Sequence, residues 1–392
     1  MNGRRIDVAI AGGGLAGGLI ALALRRLRPE LAVGLFEAGP VLGGNHRWSW
    51  FECDLDAEGR ALLAPFRTTA WSGYDVRFPA NRRTLSSRYN SLASADFDAA
   101  LRRELGQDTI HTDRFVASMD VRGLDLSNGE RVEARIVIDC RDGFDTAMLR
   151  GGWQVFMGRH VRTHSPHGIE RPIIMDATVE QHGSYRFVYT LPLGAHDLFV
   201  EDTYYADSPV LDRGVLSGRI DRYCEAQGWR GDPVAFETGV LPVVTGGDFA
   251  AYQRAHRIDG VAIAGARGGF WHPLTSYTLP FAAQTALAIA READLPGVQL
   301  AAMVEARAAA HWRDTRFYRA LGRMLFDAEP DDRYRIFQHF YRLPEPLVER
   351  FYAIRSTPFD RFRVLCGKPP MPIPRALAAL AGQNAPLTRV AS

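Results

Sequence analysis

Three glycines and an acid near the beginning of the chain carry the spacing of a dinucleotide site. Gly12, Gly14 and Gly17 repeat as G-x-G-x-x-G, and Glu37 stands 20 residues past the last of them. The first glycine permits a tight turn, the second lets the backbone approach a pyrophosphate, and the third lets a helix lie close to a strand. A helix starting there offers unpaired N–H groups and the positive end of its dipole to phosphates, and Glu37 can accept two ribose hydroxyls. Further acids and a base follow. Glu201 and Asp202 are adjacent in Leu198–Phe199–Val200–Glu201–Asp202–Thr203, Glu237 precedes Gly239 and Pro242, and His272 stands in a turn with Gly268 and Gly269. On spacing alone the acid pair reads as a solvated strand end and His272 as a structural turn histidine. A regular strand also sends neighbouring side chains to opposite faces, so Glu201 and Asp202 share a pocket only across a bulge or turn.

The elements that must position these groups are legible as hydrophobic patterns. Asp7–Val8–Ala9–Ile10–Ala11 has strand length. Residues 15–27 form an Ala- and Leu-rich helix closed by Arg25, Arg26 and Arg28 and stopped by Pro29, and residues 31–36 form a strand ending at Glu37. Strand, turn, helix, strand and acid in register predict a Rossmann-type unit. The following Leu42–Gly43–Gly44–Asn45–His46–Arg47 resembles the loop that two-dinucleotide-binding flavoproteins return to the flavin, which adds Gly43, Gly44 and Arg47 to the cofactor candidates. The buried-strand pattern Ala134 to Asp139 ends where such enzymes bring a strand back to the cofactor, and so Asp139 and Arg141 join them. Residues 260–265, the turn 266–273 and the Ala-rich helix 279–292 repeat the strand–glycine–helix arrangement, with Gly265 and Gly268 in the second turn.

Between these pieces the pattern changes. Residues 154–163, 185–191 and 198–203 alternate as strands of an antiparallel sheet, 211–227 is helical, and Glu237 to Pro242 follows a short strand. Helices are expected over 301–325 and 332–341, with breaks at Leu343–Pro346 and Lys368–Pro372. The expected fold class is α/β. It has a Rossmann-type FAD-binding domain in two parts (1–150, with a substrate-side excursion near 70–95, and 256–295), an antiparallel substrate domain (151–255) and a helical region (296–392).

The totals exclude several classes. A net charge of +2 over 392 residues gives no reason to expect nucleic acid, and Lys368 is the only lysine among 47 basic residues. Cys53, Cys140, Cys224 and Cys366 are scattered with no C-x-x-C pair, which argues against a zinc site or a disulfide framework and fits a reducing cytoplasm. The first strand begins almost at Met1, leaving no room for a signal peptide, and no run approaches the ~20 apolar residues of a spanning helix.

Four stretches together resemble the bacterial lycopene beta-cyclases. They are the N-terminal glycine turn, Leu42–Gly43–Gly44–Asn45–His46 with Trp48–Ser49–Trp50, Val200–Glu201–Asp202–Thr203–Tyr204, and the turn from Gly265 to Pro280 with His272–Pro273–Leu274–Thr275–Ser276–Tyr277. The resemblance runs through about Pro346. It implies a fold similar to FAD hydroxylases, bound FAD used in its reduced form with NADPH as electron source, and conversion of the linear ends of lycopene to β-rings without net redox change. The hydroxylases typically carry Gly-Asp in the second turn; here Ala266 and Arg267 follow Gly265. The rival readings are an FAD monooxygenase or prenyl-chain reductase using NAD(P)H, and a carotenoid carrier without catalysis.

The implied chemistry protonates an alkene, which requires an acid kept protonated and dry by burial, aromatic faces or negative charge near the cation, and exclusion of water. The resemblance assigns the acidic pair to this work. Glu201 is the expected acid/base and Asp202 its orienting partner, or the reverse. Glu237 and His272 are secondary candidates, and Trp48, Trp50, Phe270, Trp271 and Tyr277 are candidates for cation stabilisation. A bilayer substrate calls for peripheral attachment to the inner membrane. From His311 to Arg375, 13 Arg or Lys stand against 8 Asp or Glu among many aromatics, which makes that segment the expected docking region.

Overall fold

The computed structural model describes residues 4–143, 145–365 and 382–387. The expected break at Lys368–Pro372 and the position of Cys366 lie outside the described residues. Among the described residues, two seven-stranded sheets and a three-stranded one carry the fold.

The first sheet begins with Arg4–Ala11, whose apolar residues Val8, Ala9, Ile10 and Ala11 have no exposed surface. It lies between parallel neighbours Val33–Phe36 and Arg131–Asp139. Burial on both faces explains why these strands read as continuous apolar runs. The helix Leu15–Leu27 starts directly after the glycine turn and packs against Leu279–Arg291, and both are closed by arginine in their last turn, where positive charge complements the dipole. The expected strand at 260–265 is only Ala262–Ile263, paired in parallel with the end of Arg131–Asp139. Gly297–Asp314 packs on this same sheet, so the first C-terminal helix supports the nucleotide side.

The second sheet has at its core a central strand, Leu149–Thr163, flanked by Asp197–Ala206 (hereafter the acid strand) and by the edge strand Gly231–Gly247. Tyr185–Pro192, Ile173–Asp176, Tyr74–Phe78 and Asn81–Leu85 complete it. The sheet is antiparallel except where Ile173–Asp176 runs parallel to Tyr74–Phe78. Two expectations change here. Glu237 to Pro242 does not follow a short strand but lies inside a 17-residue one; Pro233 and Pro242 are tolerated because an edge strand has a side that needs no donors. Arg47–Phe51, expected as loop, is a strand pairing with Tyr89–Ala93.

Arg213–Ala226 packs on one face of the second sheet, where Arg219 meets Tyr204. The other face is capped by a cluster of short helices: Arg316–Asp327, Tyr334–Phe340, Glu345–Tyr352 and the terminal helix Pro358–Leu365. Phe326 lies so close to Gly152 that a Cβ there would stand 2.1 Å from its ring, and Phe337 stacks on Tyr185 at 4.4 Å. The helix expected over 301–325 breaks at Thr315, whose hydroxyl donates to the His311 carbonyl. Among the described residues no helix is long and apolar enough to cross a membrane.

Candidate active site

The glycine turn performs three separate jobs. Gly12 has φ +97°, and a Cβ there would stand 2.8 Å from the Cys140 carbonyl group, so the turn needs glycine. A Cβ at Gly17 would stand 2.0 Å from the Gly12 carbonyl oxygen, which fixes helix against strand. Gly14 has nothing within 4 Å of its missing Cβ and borders the main cavity. As N-cap of its helix it has no side-chain cap, and the first turn carries no acid, which leaves the helix N–H groups and dipole for an anion. Glu37 accepts from the Gly13 and Gly39 N–H groups at 2.7 and 2.9 Å and still borders the cavity. The open space at Gly14, the uncapped helix start and the anchored Glu37 fit a dinucleotide such as FAD. Gly43, Gly44, Arg47, Arg141 and Gly265 border the same cavity.

The far wall of this cavity, whose volume is about 380 Å3, is the second sheet. Its lining follows the two-residue period of strands. Gln154 and Phe156 come from the central strand, Glu201 and Tyr205 from the acid strand, Glu237, Gly239 and Leu241 from the edge strand, and Phe187 and Tyr189 from Tyr185–Pro192. Gly158 of the central strand pairs with Glu201 on one side and Glu237 on the other. Lacking a side chain, it lets the two carboxyl groups meet in a hydrogen bond across it. A Cβ at Gly158 would stand 3.0 Å from Glu237 Cγ and 2.3 Å from the Phe199 ring.

Burial raises the pKa of both carboxyls. For Glu201 desolvation dominates, opposed by the Thr203 hydroxyl, which donates at 2.6 Å. For Glu237 desolvation is joined by the charge of Glu201 and opposed by Arg47. Two like charges in contact in a desolvated wall do not both ionise easily, so the pair retains a proton near neutral pH. Around it Tyr89 bonds to Tyr189 at 2.9 Å and to Tyr277 at 2.8 Å, and Tyr189 donates to Ser49 at 2.8 Å, which fixes the aromatic rings of the wall.

Several sequence candidates lie elsewhere. Asp202 has no exposed surface and faces away from the cavity, as strand alternation requires; it accepts from Arg186 at 2.7 Å and Tyr204 at 2.6 Å beneath the helix Arg213–Ala226. It is therefore a structural ion pair, with no contact to the reacting space. His272 is fully buried, its pKa pushed down to about 3 by desolvation. Its Nδ1 accepts from the Leu274 and Thr275 N–H groups at 3.2 and 3.3 Å, which makes Nε2 the donor to the Phe351 carbonyl. It shapes the turn and does not border the cavity. Asp139 sits behind Arg141, holding it at 2.9 Å and Arg267 at 3.7 Å, so the arginine is the group that faces the cavity. Gly268 closes its turn by donating to Gly265 and also stays outside it.

Of the aromatic candidates Trp48 and Tyr277 border the cavity, while Trp50, Phe270 and Trp271 are core. Phe156, Phe187, Tyr189, Tyr205 and Tyr352 do border it and were not foreseen. Counting every second residue from Glu201 finds Thr203 and Tyr205; the others require the strand order.

A cofactor domain built on the glycine turn, with a separate sheet supplying the opposite wall, defines the flavoprotein fold that also serves hydroxylases, reductases and halogenases. Solved structures agree. The chain is similar to a geranylgeranyl bacteriochlorophyll reductase-like protein from Thermoplasma acidophilum (TM-score 0.59, 14% identity, 96% of this chain and 99% of that one). It is likewise similar to a flavin-dependent halogenase from Xanthomonas campestris (TM-score 0.59, 14% identity, 96% and 93%). Residues 7–378 match the family described as lycopene cyclase protein. A lycopene beta-cyclase from Pseudescherichia vulneris is 44% identical over 375 residues, 95% of this chain and 96% of that protein. The chain belongs to the lycopene cyclase family, a family of enzymes.

Proposed function

We propose that this enzyme is a lycopene beta-cyclase that binds FAD and closes the linear ends of lycopene into β-rings, giving γ-carotene and then β-carotene. The observation that carries the reading is the Glu201–Glu237 pair, protonated by burial, in an aromatic wall facing the dinucleotide turn. Glu201 gives its proton to C2 of the linear end. The cation at C1 is attacked by the C5=C6 double bond, and the proton lost from C6 returns to the carboxyl pair. Protons and electrons balance, with no oxidant or reductant consumed. Phe156, Phe187, Tyr189 and Tyr205 offer ring faces to the cation, and their bulk keeps water out. Bound in reduced form, with NADPH as its electron source, FAD would supply negative charge that offsets the cation. Gly12, Gly14, Gly17, Glu37, Gly43, Gly44, Arg47, Arg141 and Gly265 are the residues that would hold it. The enzyme works in the cytoplasm, attached peripherally to the inner membrane where its substrate resides.

Expression in a lycopene-accumulating cell, with the pigment identified by chromatography, is the test. Appearance of β-rings is expected, and withholding reductant from enzyme supplied with oxidised FAD should abolish it. Unchanged pigment, or NADPH consumed in proportion to substrate, would replace this reading with a carrier, a reductase or a monooxygenase.

A further inference from the structure

A cavity of about 380 Å3 lies near the lower end of the range for one drug-sized ligand, about 300–1,000 Å3. Part of it borders the dinucleotide turn, so only one end of a linear carotenoid fits against Glu201. The rest of the chain must lie elsewhere. A second chamber of about 80 Å3 opens beneath the helical cap, and Thr275 and Tyr352 border both spaces. Its walls are almost wholly apolar, formed by residues such as Leu321, Met324, Phe337 and Phe340, and it ends at Leu365.

Leu365 is 47% exposed, and it lies on the terminal helix with Phe359 at 69% and Phe362 at 62%. Three large apolar side chains on one eight-residue helix are thus in water, and one of them, Leu365, also borders the apolar chamber. Their charged neighbours are Arg355, Arg361 and Arg363, all exposed. The only acid of the helix, Asp360, is turned inward and held by Arg350 at 2.7 and 2.6 Å. The face is therefore apolar and positively charged, which matches the surface of an anionic bilayer.

Resting on the proposed carotenoid reading, we infer that the terminal helix Pro358–Leu365 sits in the surface of an anionic lipid bilayer. The chamber behind it is the passage by which the polyene slides from membrane to acid site. Tyr352, bonded to Tyr341 at 2.6 Å, forms the wall between the two spaces, and its side chain must turn to let the chain through.

The test compares two presentations of lycopene. In vesicles of mixed neutral and anionic phospholipid, Phe359→Ser with Phe362→Ser should lower both vesicle flotation and turnover at least tenfold. In detergent micelles its turnover should equal that of the unaltered enzyme, because both side chains are exposed and border neither cavity. A second variant, Met324→Trp, fills the chamber and should lose turnover in both presentations while keeping its flavin absorbance. Unaltered vesicle turnover in the double variant would overturn the docking face, and unaltered turnover in Met324→Trp would overturn the passage. A dimer of the parent enzyme that the double variant converts to monomer would overturn it too, assigning the face to a second copy of the chain. Absence of cyclisation by the parent enzyme in micelles would instead sink the cyclase reading itself.

Discussion

Glu201 and Glu237 meet because the residue between them is Gly158, and this contact separates their role from that of Asp202. Glu201→Gln keeps the shape of the wall and removes the acid. It should lower turnover by roughly 10²–10⁴, the usual worth of a general acid, with little change in melting temperature. Asp202→Ala should do the opposite in kind. It leaves Arg186 buried without its partner, at a cost of about 3–5 kcal/mol in stability, measurable by denaturant unfolding. Equal destabilisation by both substitutions would show that Glu201 is only another structural carboxyl. The pair also sets the pH dependence. While Glu201 is charged it resists loss of the last proton from Glu237, so kcat should fall on the alkaline side as the pair gives up that proton. Glu237→Gln removes the group that keeps that last proton and should move this limb to lower pH; a limb that stays in place would mean that the two groups do not share a proton.

At the scale of elements, the glycine turn was legible because every part of it is local: strand, turn, helix and acid lie within Arg4 to Glu37 and need no distant partner. Its glycines can be told apart experimentally. Gly14→Val points a side chain into the cavity without meeting protein, so flavin absorbance should vanish while the fold survives. Gly17→Ala sets a methyl group against the Gly12 carbonyl and should destabilise the fold itself by several kcal/mol, in line with about 1–3 kcal/mol for overpacking and more where backbone must move. Normal flavin content in Gly14→Val would place the cofactor elsewhere. Strand alternation likewise announced that Glu201 and Asp202 face opposite ways. The partnership of Glu201 with Glu237 was hidden, because it depends on which strands flank the central one, and 36 residues separate the two acids. Pro233, Gly239 and Pro242 disguised the edge strand by breaking its pattern where the sheet tolerates breaks. His272 misled for the opposite reason: a histidine that caps a turn with one ring nitrogen and ties it to a distant helix with the other has the same neighbours in sequence as one that moves a proton.

For the molecule as a whole, buried titratable groups make stability depend on pH in a definite direction. Burial lifts Asp54 from 3.8 to about 7 despite a hydrogen bond from the Phe51 N–H, and Glu201 and Glu237 are raised as well. In the unfolded chain these acids lose their protons near pH 4, whereas the folded protein keeps them. Over the interval between, the folded state binds more protons, so stability is greatest below the unfolded pKa and falls as pH rises through the folded values. For Asp54 alone the loss is about 4 kcal/mol. His272 and His311 act the other way, since burial lowers both. The unfolded chain protonates them below about pH 6.5, so their contribution is present above that pH and lost below it. The two effects oppose each other on the acid side of pH 6.5 and cease to do so above it. The melting temperature should therefore fall as pH rises toward 7, most steeply just above pH 6.5 where the histidines no longer oppose the carboxyls, and level off above about pH 8. Asp54→Asn should flatten that fall, because its amide remains neutral in both states. A melting temperature that rises over the same interval would mean that these carboxyls are ionised in the folded protein, and the dry acid on which the cyclisation depends would be lost with them.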